Sequence, residues 1–195
     1  SCYFMKIKRR CAWTNQKNEL YIKYHDEDWG VPIHDDQKLF EMIVLEGAQA
    51  GLSWETVLKK RKNYKKAFNN FDPKKVSKYN EKKIEELLQN EGIIRNRLKI
   101  RSAIQNAKSF LKIQKEFKSF NKYIWSFVDN KPIKNKFKSF SEIPAKTELS
   151  DKISKDLKIR GMNFVGSTII YAFMQSTGLV NDHEVSCFRY KEVNK

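Results

Sequence analysis

The sequence predicts an all-α fold, in one domain that spans residues 1–195. Segments with apolar residues every three or four positions recur along the chain, as in helices packed on a core. Helix caps and glycine-ended turns separate these segments, and no region has the strict alternation of a β-rich protein. A chain of 195 residues is long enough to bury a substantial core.

The most informative predicted helix starts at a cap on Asp35 or Asp36 and runs into the stretch from Leu45 to Trp54. On a helical wheel, Glu46 lies in the middle of the apolar stripe. A carboxylate directed at a core is costly unless it has a partner. Glu46 therefore indicates a register slip, a salt bridge to some lysine, or a pocket that needs a carboxylate.

The pocket hypothesis gains support from the residues that follow. Gly51 can end the helix in a left-handed turn, and Ser53 can cap the next helix. Trp54 would then open that helix close to Glu46. One carboxylate beside one large aromatic wall suits a flat, electron-poor or cationic ligand.

Local sequence signals predict the secondary structure in the rest of the N-terminal half. Residues 10–32 are dense in aromatic and polar side chains, and we expect a packed, irregular segment because large rings are costly to solvate. Amphipathic spacing then predicts one helix over Trp54 to Phe68. Asp72, before a proline, and Asn80 are predicted to cap the next two helices.

In the C-terminal half, a long helix is predicted around Ile100 to Leu111 and a short one over Phe120 to Val128. Residues 133–147 are rich in lysine and serine without a clear period, and we interpret them as a surface excursion. Ser150 is predicted to cap the following helix.

A glycine at each end of the segment from Gly161 to Gly166 gives a helix-hairpin-helix pattern. Its backbone amides and the start of the second helix, at Ser167 and Thr168, can hold a DNA phosphate without reading sequence. Glycine-bounded helical turns without a ligand are at least as common, so the pattern alone leaves DNA binding open.

The charge balance favours a polyanionic partner. Lysine and arginine number 39 against 23 acidic residues, a net charge of +16, and nucleic acid is the usual partner for such an excess. A membrane surface is disfavoured because no basic amphipathic segment is free of core residues. Without a signal peptide or a long apolar run, we expect a soluble protein that is not secreted.

The three cysteines argue against a disulfide framework. His183 and Cys187 form an H-x-x-x-C pair that we expect on one side of a helical turn. Together with Cys11 and His25 they have the ligand types of a closed structural zinc site. Two buried thiols and two unrelated histidines explain the same residues equally well.

The start of the chain carries one further expectation. Ser1 to Phe4 precede Met5, which we take as the native start, so that part of residues 1–10 is a cloning remnant. Cys2 would then have no role.

Taken together, the motifs resemble the bacterial 3-methyladenine DNA glycosylase I family, the constitutive alkylation-repair glycosylases, from Arg10 to about Tyr190. The carrying motifs are Arg10–Trp13, Tyr24–Pro32, Leu39–Glu41, Leu45–Gly47, Ala50–Trp54, Gly92–Arg95, Trp125–Phe127, Gly161–Gly166 and Leu179–His183. Their combination is far more specific than any one of them.

The resemblance implies the helix-hairpin-helix glycosylase fold, in which two helical lobes flank a base-binding cleft. It implies a structural Zn²⁺ that ties the termini together through Cys11, His25, His183 and Cys187. The family lacks the catalytic aspartate usual in its superfamily, and the corresponding position here is Asn181.

The resemblance also implies the reaction. The enzyme would flip 3-methyladenine out of double-stranded alkylated DNA, excise it by hydrolysis, release the free base and leave an abasic site. Glu46 would be catalytic and would select the cationic base, with Tyr24 bonding its edge and Trp54 and Trp13 stacking on it. We expect a monomer in the cytoplasm, associated with the nucleoid through its function.

Two other hypotheses compete. A non-catalytic, zinc-clasped nucleic-acid-binding module would have no use for a buried carboxylate at Glu46. A zinc hydrolase is disfavoured because four protein ligands leave no open position for water.

Overall fold

The computed structural model describes residues 8–194, so the expectations about Ser1 to Phe4, Met5 and Cys2 lie outside the described residues. The chain is mostly helical over this range. The helices are α1 (Glu19–Glu27), α2 (Asp36–Gln49), α3 (Trp54–Lys59), α4 (Arg61–Ala67), α5 (Pro73–Val76), α6 (Glu81–Leu88), α7 (Arg97–Phe117), α8 (Phe120–Ser126), α9 (Glu148–Ile159) and α10 (Ser167–Ser176). Short 3-10 turns occupy Asn69–Phe71 and Phe140–Glu142.

One short parallel pairing accompanies the helices. Strand β1 (Ile133–Lys134) lies beside β2 (Val180–Asn181), with Ile133 opposite Val180. This pairing fixes the start of the 133–147 segment to the chain that leads into the C-terminal residues.

Most predicted helix starts are confirmed. The side chains of Asp35, Ser53, Asp72 and Asn80 each accept a hydrogen bond from a backbone amide in the first turn of the following helix. Gly51 follows α2 with a φ of +78°, the left-handed conformation that favours glycine.

Three local predictions are wrong. The cap of α9 is Thr147, and Ser150 is the third helical residue, whose side chain completes a capping box with it. The N-terminal segment is less irregular than expected, because Asn18 caps a helix, α1, within it. The helix predicted over Trp54 to Phe68 is divided at Lys60 into α3 and α4.

The main core is built around α2, which packs against α3, α7, α8 and α10. Within it, the rings of Phe40 and Phe110 lie 5.3 Å apart. A second, smaller cluster joins the two ends of the chain and includes Cys11, Trp29 and Cys187. The described helices include none with the length and apolarity to cross a bilayer.

The C-terminal end of α10 is pinned to the N-terminal part of the chain. The amide of Gly30 donates to the carbonyl of Gln175 over 3.0 Å. At Gly178, where φ is +76°, a Cβ would lie 2.5 Å from the backbone nitrogen of Pro32. Only glycine permits this close approach, which sets α10 against the segment after α1.

Candidate functional site

A cavity of about 280 Å³ opens where α1, α2, α3 and α10 meet the N-terminal segment. It is lined by Trp13, Tyr21, Tyr24, Trp29, Glu46, Gln49, Trp54, Phe140, Ile143, Ala172 and Gln175. The lining is mostly aromatic with a few polar groups, which is the usual character of a small-molecule site.

Most of the aromatic lining comes from the Trp13 segment, α1 and α3. Tyr21 and Tyr24 lie three residues apart on α1, so both face the same side. Trp13 packs edge-on against Tyr21, with ring centroids 5.4 Å apart. Trp54, the first residue of α3, lies 5.2 Å from the ring of Tyr24. The structure thus brings together all four predicted pocket residues.

Glu46 is the carboxylate of this cavity. It lies near the C-terminal end of α2 and is only 4% exposed. Burial raises its pKa to about 8, because the charged form loses its hydration. No ion pair involves Glu46 in the described chain, whereas Glu41 on the same helix pairs with Arg61 at 3.0 Å. The salt-bridge and register-slip alternatives therefore do not apply.

Several polar atoms of the cavity have no protein partner. Across residues 8–194, five buried side-chain nitrogen or oxygen atoms make no hydrogen bond, and three belong to the cavity lining. These three are Glu46 Oε2, Trp13 Nε1 and Trp54 Nε1. Unsatisfied buried groups are costly and rare in folded proteins, so their concentration here indicates a site that a polar ligand completes.

A second group of functional side chains lies beside the cavity. The potential ligand atoms of Cys11, His25, His183 and Cys187 all lie within 4.8 Å of one another, and all four residues are buried. The sulfur of Cys11 is 3.3 Å from Nδ1 of His183, and the sulfur of Cys187 is 3.5 Å from Nε2 of His25. These four residues, here termed the Cys₂His₂ cluster, can hold a metal ion.

Outer hydrogen bonds fix both imidazole rings of the Cys₂His₂ cluster. Nδ1 of His25 lies 2.8 Å from Asp26, which also pairs with Arg10. Nε2 of His183 lies 2.8 Å from the carbonyl of Trp29. Each acceptor holds the proton on the outer nitrogen, so the lone pair of the inner nitrogen points into the cluster, where a metal could bind it.

The segment that carries two of these ligands differs from the prediction. Residues 183–187 form turns, not a helix, and the amide of Cys187 bonds the carbonyl of Glu184. The side chains of His183 and Cys187 still meet, with Nδ1 and the sulfur 3.5 Å apart. Proximity along the chain, not helical geometry, brings them together.

The predicted hairpin packs directly against the helix of Glu46. A Cβ at Gly47 would lie 3.5 Å from Cβ of Phe164, in the middle of the hairpin. Gly161 has a φ of +97°, and Gly166 precedes α10 without providing a side-chain cap. The first amides of α10 therefore lack a side-chain acceptor.

The two hydroxyl residues predicted beside the hairpin have different surroundings. Ser167 shares a hydrogen bond of 2.8 Å with Ser150, whereas Thr168 is exposed. Of these two side chains, therefore, only that of Thr168 is exposed to solvent and not held by another residue of the described chain.

Seven cavity residues were not predicted: Tyr21, Trp29, Gln49, Phe140, Ile143, Ala172 and Gln175. The cap at Asn18 was a usable signal, because a helix starting there places Tyr21 on the face of Tyr24. No local signal identifies Phe140, since the segment interpreted as a surface excursion reaches the cavity only through tertiary structure.

Asn181 and Asp182 are fully buried next to the Cys₂His₂ cluster. The amide of Asn181 donates to the carbonyl of Tyr190 and to Asn194, so it is engaged within the C-terminal segment. Neither residue lines the cavity.

A larger groove of about 920 Å³ lies between α6, α7 and the hairpin. Two of its charged groups, Arg101 and Glu81, are paired with each other over 2.8 Å. None of the unpartnered buried atoms named above lines it. The unpartnered polar groups that could bind a ligand are therefore concentrated in the smaller cavity.

Comparison with known proteins gives a consistent result. The model of the family described as methyladenine glycosylase matches residues 13–190. The chain is 53% identical over 181 residues to DNA-3-methyladenine glycosylase 1 of Escherichia coli K12, covering 93% of this chain and 96% of that one.

Solved structures agree with the sequence comparison. A crystal structure of 3-methyladenine DNA glycosylase I is 53% identical, with a TM-score of 0.90 over 92% of this chain and 98% of that one. A structure of the Staphylococcus aureus enzyme, solved for its recognition of 3-methyladenine, is 33% identical with a TM-score of 0.90 over 95% and 96%. The chain therefore belongs to the methyladenine glycosylase family.

Proposed function

We propose that this protein is a DNA repair glycosylase that hydrolyses the N-glycosyl bond of 3-methyladenine in double-stranded alkylated DNA. The products are free 3-methyladenine and an abasic site. The observation that carries the proposal is the aromatic cavity that contains an unpaired, buried Glu46 and two unpartnered indole N–H groups. The relatives at 53% and 33% identity bear the corresponding names.

The cavity suits a base that has left the DNA stack. A flipped nucleotide must be held by stacking and by hydrogen bonds to its edge. Trp13 and Trp54 provide aromatic faces, Tyr24 provides a hydroxyl, and Glu46 provides the acidic group. We assign the stacking, edge-bonding and charge-recognition roles to these residues in that order.

Glu46 gives the cavity its preference for a cation. Its raised pKa leaves it largely protonated in the free protein at neutral pH. A positively charged methylated base beside it favours the carboxylate and lowers that pKa. A neutral adenine offers no such compensation, so the damaged base is selected.

The same charge assists bond cleavage. Methylation at N3 makes the base a cationic leaving group whose bond to the sugar is already weak. As the bond breaks, its electron pair neutralises the base and positive charge develops on the sugar, so an anionic group beside the reacting bond lowers the barrier. We accordingly assign Glu46 as the catalytic residue, with water as the nucleophile.

DNA binding is assigned to the hairpin and the start of α10. We propose that the chain has the helix-hairpin-helix glycosylase architecture, with two lobes flanking the cleft. The uncapped amides after Gly166, with Ser167 and Thr168, would hold a phosphate, and Gly161 would permit the turn. The contact between Phe164 and Gly47 joins this proposed phosphate-binding segment to α2, the helix that carries Glu46.

We propose that the Cys₂His₂ cluster binds a structural Zn²⁺. In a tetrahedral zinc site a sulfur and a nitrogen ligand are about 3.5 Å apart. Three of the four sulfur–nitrogen distances among Cys11, His25, His183 and Cys187 are 3.3, 3.5 and 3.5 Å, which supports this assignment. Four protein ligands leave no position for a reacting water, so the ion holds the chain ends together.

The alternative function, a non-catalytic nucleic-acid-binding module, predicts DNA binding without base release. The test is incubation with duplex DNA treated with a methylating agent, followed by chromatography of the released bases, with untreated DNA as the control. We expect free 3-methyladenine from the methylated DNA alone. Binding without any release of base would exclude glycosylase activity.

We expect the protein to act as a monomer on DNA in the cytoplasm.

A further inference from the structure

We propose that Gln175 presents its amide oxygen to the cavity as a fixed hydrogen-bond acceptor for the exocyclic amino group of the bound purine. This acceptor would favour an adenine-type base over a guanine-type base. The inference rests on the proposed function, and it identifies the group that distinguishes the two purines.

The orientation of the Gln175 amide follows from its neighbour. Its Nε2 donates to Oδ2 of Asp182 over 3.0 Å. Asp182 also accepts hydrogen bonds from the hydroxyl of Tyr171 and, over 2.7 Å, from the amide of Asn135. A carboxylate surrounded by donors repels an amide oxygen, so the NH₂ group of Gln175 must face Asp182.

The opposite atom of the amide is therefore left for the cavity. Oε1 of Gln175 makes no hydrogen bond within residues 8–194, while the side chain lines the cavity together with Glu46. The backbone beneath it is held as well, because the carbonyl of Gln175 accepts from the amide of Gly30. The acceptor is thus preorganised, and little entropy is lost when it binds a donor.

The bases differ at the position this acceptor would read. Adenine carries an amino donor where guanine carries an oxygen acceptor. Glu46 alone discriminates poorly, because a carboxyl group accepts hydrogen bonds when ionised and can also donate one when protonated. Gln175 cannot donate with its oxygen, so an oxygen on the ligand would be left facing an acceptor.

A second glutamine provides a matched control. Gln49 also lines the cavity, from the last turn of α2, but its side chain makes no hydrogen bond in the described chain. Its amide can rotate to present either atom, so it imposes no preference. Gln175→Met and Gln49→Met make the same chemical change in the same cavity.

The test measures binding of two free bases to the intact protein: 3-methyladenine, and 3-methylpurine, which lacks the amino group. We expect Gln175→Met to weaken 3-methyladenine binding by about 3- to 10-fold, the range for one neutral hydrogen bond. Binding of 3-methylpurine should be the same for both proteins. Gln49→Met should show no such difference between the two bases.

Three outcomes overturn the inference: an equal loss for both bases in Gln175→Met, no loss for either, or the selective loss in Gln49→Met instead. A general distortion of the cavity gives the first of these, since it affects both ligands alike. Release of 3-methyladenine from methylated DNA by the unaltered protein is scored separately. If the base is released but Gln175→Met shows no selective loss of 3-methyladenine binding, only the role of Gln175 is refuted. If no base is released, the proposed function is refuted.

Discussion

Tyr24 and His25 are consecutive residues of α1, yet their side chains lie in two sites of opposite character. His25 is part of the Cys₂His₂ cluster, where each imidazole nitrogen has a partner atom within 3.5 Å. Tyr24 lines the cavity, where Glu46 and two indoles have buried atoms without partners.

The difference separates residues that hold the fold from residues that await a ligand. Side chains that have partners within the fold stabilise the folded chain, and a metal ion bound among them adds to that stability. Groups left unsatisfied cost stability, and folded proteins retain them mainly where a ligand compensates. Changes in the cluster should therefore affect folding first, and changes in the cavity should affect binding and rate.

The largest expected effect is on the cluster. His183→Ala removes one of the four proposed zinc ligands, and we expect loss of zinc binding together with a fall of several kcal/mol in the free energy of unfolding. Metal analysis of protein purified without chelator and thermal unfolding measure the two effects.

His34→Ala is the matched control for this prediction, because His34 lies outside the cluster and bonds Asn121 at the surface. It should retain metal and stability. Absence of zinc from the unaltered protein, or loss of activity on chelation with an unchanged melting temperature, would contradict the structural role.

The second effect concerns the cost of burying Glu46. Its pKa is about 8 in the folded chain against an ordinary value of 4.5, so the folded state binds the extra proton between these pH values. The resulting stability is fully present below about pH 4.5 and is lost as pH rises through 8, by a few kcal/mol at most. The stability of the wild type minus that of Glu46→Gln should fall over this window, in chemical denaturation at several pH values. A flat difference would mean that the carboxyl is not desolvated.

A third effect is on catalysis. Glu46→Gln keeps shape but removes the charge that pairs with a cationic base, so we expect excision to fall by about one to two powers of ten. Single-turnover release of 3-methyladenine measures it. Trp54→Phe, which retains a stacking face, should lose less.

Glu41→Gln is the control for the excision experiment, because Glu41 lies on the same helix but pairs with Arg61 outside the cavity. It should excise at nearly the normal rate. If Glu46→Gln also excised normally, the carboxylate would have no role in the reaction.

The smallest expected effect is at the hairpin. A Cβ at Gly166 would meet no atom within 4 Å, and its φ of −58° suits any residue, so Gly166→Val should fold normally. The added side chain would obstruct an approaching phosphate and weaken DNA binding by roughly tenfold or less. Binding of free 3-methyladenine should not change.

The affinity of the wild-type protein for DNA should fall steeply as the salt concentration rises. An affinity that does not depend on salt would argue against phosphate contacts.

The sequence predicted those features that depend on residues close together in the chain. The caps at Asp35, Ser53, Asp72 and Asn80 are local hydrogen bonds and were all found. The family membership, carried by motifs along almost the whole chain, is confirmed by the comparisons.

Features that depend on tertiary structure were missed. Ser150 has the chemistry of a cap, but Thr147 and Ser150 share the capping box, and only the helix start decides between them. Phe140 reaches the cavity because β1 pairs with a strand almost fifty residues away in the chain. The fixed orientation of Gln175 requires Asp182, which no periodicity places behind it.

The Cys₂His₂ cluster has a consequence for the order of folding. Cys11 and His183 have ligand atoms 3.3 Å apart but are separated by 172 positions in the chain. Contacts of such high sequence separation form late, because a very long loop must close first. During synthesis the N-terminal ligands leave the ribosome long before their partners exist. Trp13, the aromatic wall on the same segment, can therefore reach its final position only after the segment with His183 has been synthesised, so the cavity cannot be complete before that segment emerges.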